Sequence, residues 1–341
     1  MIDLRSDTVT KPSEAMRKAM AAAEVGDDVF AEDPTINALQ EYCADLLGKD
    51  RALYVPSGTM ANQTSLNAHT QPGDEVICEN GCHIFNYESG APALLSGIQL
   101  NPLPGNHGLL SADQVEAAIR PGNVHHASTK VVALENTHNR AGGVIYPLET
   151  IREIAEVARN HDLIMHLDGA RLMNAVVAAG INPKEYTQYF DSVTLCFSKG
   201  LGAPVGSIVA GNADFIQRVH RYRKIYGGGM RQAGIIAAGA LYAIQNNVER
   251  LAEDHQNANR LAEGIAGIDE IGIDPEWVQT NIVIFDVDPA WMTAKELCHK
   301  LGEQDILLLP MATQKIRAVT NLMVSKKDME KTISTIQDLQ K

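Results

Sequence analysis

The sequence predicts an α/β protein whose large unit is a mostly parallel mixed sheet covered by helices, followed by a smaller C-terminal α/β unit. Three observations carry this. Short apolar runs, "ALYV", "EVIC", "KVVAL", "LIMHL" and "SVTLCF", alternate with helical patterns. Each run is apolar on both faces, as strands buried beneath helices are, and each ends in a polar or glycine-rich cluster. After Gly229 the pattern changes to a long helical stretch at 232–266, then to strands at "NIVIFDV", "ILLLP" and "IRAVTNLMV" with helices at "TAKELCHKLGEQ" and "KKDMEKTISTIQDLQ". The expected units are an arm at 1–14, a large domain at 15–245 and a small domain at 246–341, joined by the long helix.

The elements follow in order. In "DPTINALQEYCADLLGKD", Asp33 caps a helix, Pro34 takes its first position, Ile36, Leu39, Leu46 and Leu47 face inward, and Gly48 stops it. Next, "VPSGTMANQTSLNAH" ends a strand at Val55, turns through Ser57, Gly58 and Thr59, and opens a helix. The strand "EVIC" leads into "NGCHIF" with His83. In "LIMHLDGAR" Asp168 closes a strand, and "RLMNAVVAAG" is the helix leading to "SVTLC", after which "FSKGLGAP" carries Lys199. A strand, helix and strand in one crossover put Asp168 and Lys199 at the same sheet edge, where such sheets bind ligands.

Composition narrows the function. The 341 residues carry a formal net charge of −13, and the basic run at 217–231 is the only one, so nucleic acid is not an expected partner. Five scattered cysteines, Cys43, Cys78, Cys82, Cys196 and Cys298, fit a reducing cytoplasm better than a disulfide framework. No apolar run approaches the ~20 residues that span a bilayer, and "MIDLRSDTVT" carries charges where a signal peptide needs an apolar segment. "CENGC" with His83 lacks the second ligand pair of a structural zinc site, so no metal is expected. "GGGMRQAG" follows a helix and is a poor dinucleotide fingerprint.

A lysine and an aspartate at one sheet edge suggest an ion pair or a cofactor between them. Pyridoxal phosphate needs both: a lysine amine for its Schiff base and an aspartate that keeps its pyridine nitrogen protonated. Its phosphate needs an anion cradle, which Ser57-Gly58-Thr59 at a helix start supplies. The same tripeptide is also an ordinary capping turn.

The segments "LRSDTVT", "VGDDVFAEDPT", "SGTMAN", "ENTHN", "HLDGAR", "FSKGLGAPVGS" and "GGGMRQ" together resemble the low-specificity L-threonine aldolase and L-allo-threonine aldolase family, pyridoxal-phosphate enzymes of the aspartate-aminotransferase fold type I. The resemblance runs through most of the chain and implies roles residue by residue. Lys199 carries the cofactor, Asp168 pairs with its pyridinium nitrogen, and Ser57, Gly58 and Thr59 hold its phosphate with Ser198 assisting. His83 lies over the ring. Ser6, Arg171 and Arg317 bind the substrate carboxylate, for which the planar arginine fork is suited. Arg171 has a second reading, as a first-turn helix residue paired with Asp168 three positions earlier. The run Arg218, Arg221, Arg223 and Lys224 reads as the wet face of a helix. In the family this loop reaches a neighbour's cofactor phosphate, so Lys224 and Arg231 imply a dimer with shared sites, paired again into a homotetramer.

The implied reaction is cleavage of a β-hydroxy-α-amino acid to glycine and an aldehyde, acetaldehyde from threonine. His83, or a water it orders, is the first candidate base for the β-hydroxyl proton and His125 in "VHHAST" the second. A β-eliminating lyase, an amino-acid racemase or a non-catalytic cofactor-binding relative are the alternatives on the same scaffold.

Overall fold

The structure is a computed structural model and describes residues 1–340. The chain begins with a short strand β1 (Ile2–Asp3) and helices α1 (Glu14–Ala21) and α2 (Pro34–Leu46). Then come β2 (Arg51–Val55), α3 (Gly58–His69), β3 (Asp74–Glu79), α4 (His83–Asn86), β4 (Gln99–Leu103), α5 (Ala112–Ala118) and β5 (Ser128–Glu135). They are followed by α6 (Leu148–Asn160), β6 (Ile164–Asp168), α7 (Leu172–Ala179), α8 (Pro183–Thr187), β7 (Ser192–Cys196), β8 (Ser207–Gly211), α9 (Ala213–Ile225) and α10 (Gly234–Asn246). The chain closes with α11 (Leu251–Ile265), β9 (Ile271–Gly272), β10 (Ile282–Val287), α12 (Ala294–Gly302), β11 (Ile306–Leu307), β12 (Leu309–Pro310), β13 (Lys315–Val319) and α13 (Lys326–Asp338).

The main sheet runs in the order β2-β8-β7-β6-β5-β3-β4. Only β8 is antiparallel to its neighbours. All the other strands therefore deliver their carboxyl ends, Val55, Glu79, Leu103, Glu135, Asp168 and Cys196, to one edge. The predicted strands are all present, and β4 and β8 join them. Neither announced itself as an apolar run: "QLNPL" is a half-exposed edge and "SIVAG" is short and closes on glycine.

Local signals act as their chemistry dictates. Asp33 Oδ1 accepts from the amides of Thr35 (3.1 Å) and Ile36 (3.0 Å), and its Oδ2 accepts from Gly234 at 2.8 Å, fixing α10 against the start of α2. The single long helix expected at 232–266 is two helices, α10 and α11. At the break, Asn247 donates its side-chain amide to the Leu201 carbonyl at 2.7 Å, so the interruption is anchored to the loop that carries Lys199. "ILLLP" likewise divides into β11 and β12, and "IRAVTNLMV" stops pairing at Val319.

Two large apolar cores result, with two smaller clusters against the main sheet around Val55 and Phe215 and around Val76 and Val131. The larger core packs helices on the main sheet around Tyr54, Leu134, Leu167, Leu195 and Phe197. The smaller core gathers Phe285, Leu297, Leu301, Ile306, Ile316 and Met329, and it includes Ile2 and Leu4. The N-terminal arm is thus woven into the smaller core: β1 pairs in parallel with β11, and the Val319 amide donates to the Leu4 carbonyl at 2.7 Å. This routing carries Ser6 and Asp7 across to the carboxyl edge of the main sheet.

The charge run on α9 is not uniformly wet. Arg223 is buried; it donates to Asp28 Oδ2 at 2.7 Å and to the Tyr54 carbonyl at 2.8 Å. A helix face read from charge alone misses an arginine that has a buried carboxylate waiting on another segment. Removing one member of such a pair strands the other, at about 3–5 kcal/mol. Asp28→Ala is therefore expected to lower unfolding free energy by that order in chemical denaturation, and replacing both residues by apolar ones of similar volume to cost less than the single change.

Candidate functional site

Two adjoining cavities open at the carboxyl edge of the sheet. The first, about 270 Å³, is lined by Ser57, Gly58, Thr59, His83, Asp168 and Lys199, among others. The second, about 400 Å³, shares His83, Asn139, Arg171 and Lys199 with it and adds Ser6, Tyr87, Leu309, Met311 and Arg317. Residues distant in sequence meet here because their strands are neighbours: Asp168 on β6 stands opposite Thr194 on β7, two residues before β7 ends and five before Lys199.

The Lys199 loop must reverse between the antiparallel strands β7 and β8. Gly202 and Gly206 take φ values of +79° and +108°, which L side chains rarely adopt. The Phe197 amide donates to the Gly206 carbonyl, and Ala203 donates back to Phe197, each at 3.0 Å, so the lysine sits on a closed loop. Opposite it, α3 starts at Gly58, where an added Cβ would lie 2.8 Å from Cys196 Sγ. Only glycine lets the helix start come this close to the end of β7. Ser57 caps the helix by accepting the Met60 amide at 3.2 Å, which leaves the amides of Gly58 and Thr59 at the positive helix end for a ligand. Ser198 lines the same cavity.

Asp168 is buried yet charged. Burial pushes its carboxyl up, but His83, Lys199 and hydrogen bonds from Asn62 and the Ala170 amide outweigh that and hold it below the usual carboxylate range. Asn62 Nδ2 donates at 2.8 Å to both Asp168 Oδ2 and Glu88 Oε1. Glu88, 2% exposed, also accepts from Gln63 at 2.5 Å and pairs with His83 Nδ1 at 2.8 Å. This leaves Nε2 as the His83 ring nitrogen not engaged by Glu88. Burial pulls the His83 imidazole down, whereas the Glu88 hydrogen bond and the Asp168 and Glu88 charges push it up, and the net direction is up.

The arginines divide their labour. Arg171 does not pair with Asp168. Its Nε and Nη2 each reach Asp7 at 2.7 Å in a buried bidentate bridge. Burial opposes ionisation of both groups, and their mutual attraction overcomes it, lowering Asp7 and raising Arg171. Arg171 is therefore already satisfied. Arg317 on β13 donates Nη1 to Asn139 Oδ1 at 2.9 Å and Nη2 to the Arg5 carbonyl at 3.2 Å, while its buried Nε has no partner. Thr137 Oγ1 is a second buried, unpartnered polar atom, in the first cavity.

Glu135 ties the loops together, accepting the His83 amide at 2.6 Å and the Asn139 amide at 2.8 Å. Sequence reasoning missed Asp7, Asn62, Glu88, Glu135 and Asn139 as site residues. Asp7, Asn62, Glu135 and Asn139 lie within segments that pattern had singled out, whereas Glu88 carries no local signal. His125 is not brought to the site. It is exposed in the loop before β5, at the opposite edge of the sheet, because β5 must run from Ser128 to Glu135 before reaching the cavity. Lys224 and Arg231 are exposed and line neither cavity, and Arg231 pairs with Asp27 at 3.0 Å. Cys78 and Cys82 are buried apart from the His83 ring, whose Nδ1 is engaged by Glu88.

The fold and site define a class, and comparison with known proteins agrees. The family model described as beta-eliminating lyase matches residues 3–289. A low specificity L-threonine aldolase of Escherichia coli K12 is 47% identical over 330 residues, 96% of each chain. A probable low-specificity L-threonine aldolase of Arabidopsis thaliana is 43% identical, covering 99% of this chain and 97% of that one. The solved Leishmania major threonine aldolase superposes with a TM-score of 0.85 at 18% identity, over 99% of both chains. The architecture is that of the fold type I pyridoxal-phosphate enzymes. The chain belongs to the beta-eliminating lyase family and, within it, to the low-specificity L-threonine aldolase group.

In an NMR titration His83 is expected to lose its proton above the ordinary value of 6.5. Glu88→Gln removes a negative neighbour that favours the imidazolium, so the midpoint moves to lower pH. An unchanged midpoint contradicts the Glu88–His83 coupling.

Proposed function

We propose that this protein is a carbon–carbon lyase that cleaves L-threonine, L-allo-threonine and related β-hydroxy-α-amino acids reversibly to glycine and an aldehyde, with pyridoxal 5′-phosphate as cofactor. The observation that carries the reading is the meeting of Lys199, Asp168 and the start of α3 in one cavity, with Arg317, whose buried Nε has no partner, lining the next. The residues fit the cofactor. Lys199 would hold it covalently, Asp168 would face its ring nitrogen, His83 would lie over its ring, and Gly58, Thr59, Ser57 and Ser198 would take its phosphate. The unsatisfied Thr137 hydroxyl offers one more hydrogen bond in the same cavity. When bound, the cofactor supplies an electron sink for the bond broken at the substrate α-carbon.

The protein's own residues choose the bond and move the proton. Arg317, helped by Ser6 and the remaining nitrogen of Arg171, holds the substrate carboxylate and so fixes the rotation about the α-carbon. Asn139 and the Arg5 carbonyl hold the Arg317 guanidinium in place. His83 Nε2 takes the β-hydroxyl proton, directly or through one water, while Glu88 keeps Nδ1 engaged and the lone pair on Nε2 directed at the cavity. Asp168 stays anionic throughout, secured by Asn62.

We also infer a homotetramer, a dimer of dimers, in which Lys224 and Arg231 complete a neighbour's phosphate site. Their exposure and the apolar surface beside them support this: Phe30, Ile225 and Ile235 are 69%, 62% and 50% exposed. No described helix is long and apolar enough to cross a membrane, and five unpaired cysteines suit a reducing cytoplasm.

Cofactor-loaded protein given L-threonine or L-allo-threonine is expected to release glycine and acetaldehyde in equal amounts, and borohydride reduction with peptide mapping to label Lys199. An oxoacid product would instead favour β-elimination, which the family's name keeps as the second reading; a D-amino acid would favour racemisation, and a label elsewhere contradicts the site. Arg317→Leu is expected to raise KM about 10- to 100-fold, the scale of one charged hydrogen-bonding group, with little loss of stability. Arg171→Leu strands buried Asp7, so its main effect is a lower melting temperature.

A further inference from the structure

His83 and Arg317 line the same cavity, although His83 starts α4 and Arg317 lies on β13, far apart in the chain. Three hydrogen bonds in series join them through Glu135, the last residue of β5, which is 5% exposed. Glu135 Oε2 accepts the His83 amide at 2.6 Å, and its Oε1 accepts the Asn139 amide at 2.8 Å. Asn139 Oδ1 then accepts Arg317 Nη1 at 2.9 Å, with Arg171 Nη1 at 3.5 Å from the same oxygen. Both neighbours of that oxygen are guanidiniums, which only donate, so a single orientation of the asparagine amide satisfies them.

Local chemistry explains why a carboxylate stands at the centre of this path. Cys82 precedes α4 and makes no side-chain cap bond, so the His83 amide, an orphan donor of the helix start, needs an acceptor from elsewhere. Two amides on two segments require two acceptor oxygens on one side chain, which a carboxylate has and a carboxamide lacks. A second tie joins the same two segments: Glu79 accepts the Gly81 amide and pairs with His138 Nε2, the latter at 2.8 Å. Glu79, Gly81 and His138 line neither cavity. The Glu79 tie therefore holds backbone to backbone, whereas the Glu135 path ends on the two side chains that meet the substrate.

We propose that Glu135 is a positioning residue that sets the distance between His83 and the carboxylate clamp at Arg317, and through it how the site distinguishes L-threonine from L-allo-threonine. This rests on the aldolase reading above. The two substrates carry the same carboxylate and differ only in configuration at the β-carbon. With the carboxylate on Arg317, what separates them is where the β-hydroxyl lies relative to His83. A misplacement of about 1 Å at such a point costs up to about 100-fold in rate.

The test uses holoenzyme, with steady-state kinetics on both substrates and calorimetric titration with glycine, which has the carboxylate but no β-hydroxyl and so reads the clamp alone. E135Q keeps one acceptor oxygen, so one of the two amides loses its bond. It is expected to lower kcat about tenfold and to shift the ratio of kcat/KM for the two substrates by at least about threefold. N139A leaves Glu135 and both of its backbone bonds in place but removes the link to Arg317. It is expected to weaken glycine binding about tenfold and to shift the same ratio, so the test stands even if E135Q folds poorly. Because the links lie in series, the double variant E135Q/N139A is expected to be no worse than the more impaired single one. E79Q serves as the structural control, expected to lower the melting temperature and leave the ratio unchanged. Parallel losses on both substrates with an unshifted ratio, additive effects in the double variant, or an equal shift in E79Q overturns the proposal. A wild-type protein that neither binds glycine nor releases it from either substrate would instead overturn the functional reading beneath it.

Discussion

A carboxylate cut off from water has to be kept charged, and the arrangement around Asp168 follows from that requirement. An isolated buried carboxylate takes up a proton rather than remain ionised. Here two cationic neighbours and two hydrogen-bond donors reverse the outcome. Asn62 is the pivot because one amide nitrogen serves both Asp168 and Glu88, so the buried aspartate and the group that pairs with His83 are fixed by the same side chain. That sharing accounts for the burial of Asn62 and Gln63 on α3, whereas the buried hydroxyls of Thr64 and Ser65 donate to carbonyls of their own helix. The helix whose start lines the first cavity also supplies the hydrogen bonds beneath it.

The second constraint is the pairing of Arg171 with Asp7. An arm residue reaches a buried arginine because β1 is held in the smaller core beside β11. The smaller core therefore shapes the site from a distance: it delivers Asp7 from the arm and Arg317 from β13 to the same cavity. With Arg171 neutralised, Arg317 is the cation left with an open donor. Two arginines side by side repel, and burial together with the charge of Arg171 pulls Arg317 below its ordinary value. Asp7 thus limits the positive charge that the site must tolerate when empty.

Much of this was legible in the sequence. Apolar runs ending in polar clusters gave away the buried parallel strands, and with them the edge where Asp168 and Lys199 meet. The Asp33–Pro34 start of α2 was readable because capping is local. What stayed hidden was tertiary. Glu88 follows a four-residue helix with no pattern to mark it, and only the packing of α3 makes it a buried partner. Arg223 looked like one more surface charge until Asp28 arrived from elsewhere in the chain. His125 is exposed before the amino end of β5, away from both cavities of its own chain, a placement that only the strand's direction reveals. The break between α10 and α11 was invisible because helical periodicity continues across it, and the interruption depends on a contact from Asn247 to the Lys199 loop.

The most direct test is a crystal structure of the protein with pyridoxal phosphate and glycine bound. The account predicts the ring nitrogen within hydrogen-bonding distance of Asp168, the glycine carboxylate on Arg317 Nε, and Arg171 still bridged to Asp7. A ring nitrogen directed away from Asp168, or a carboxylate that has displaced Asp7 from Arg171, would contradict it.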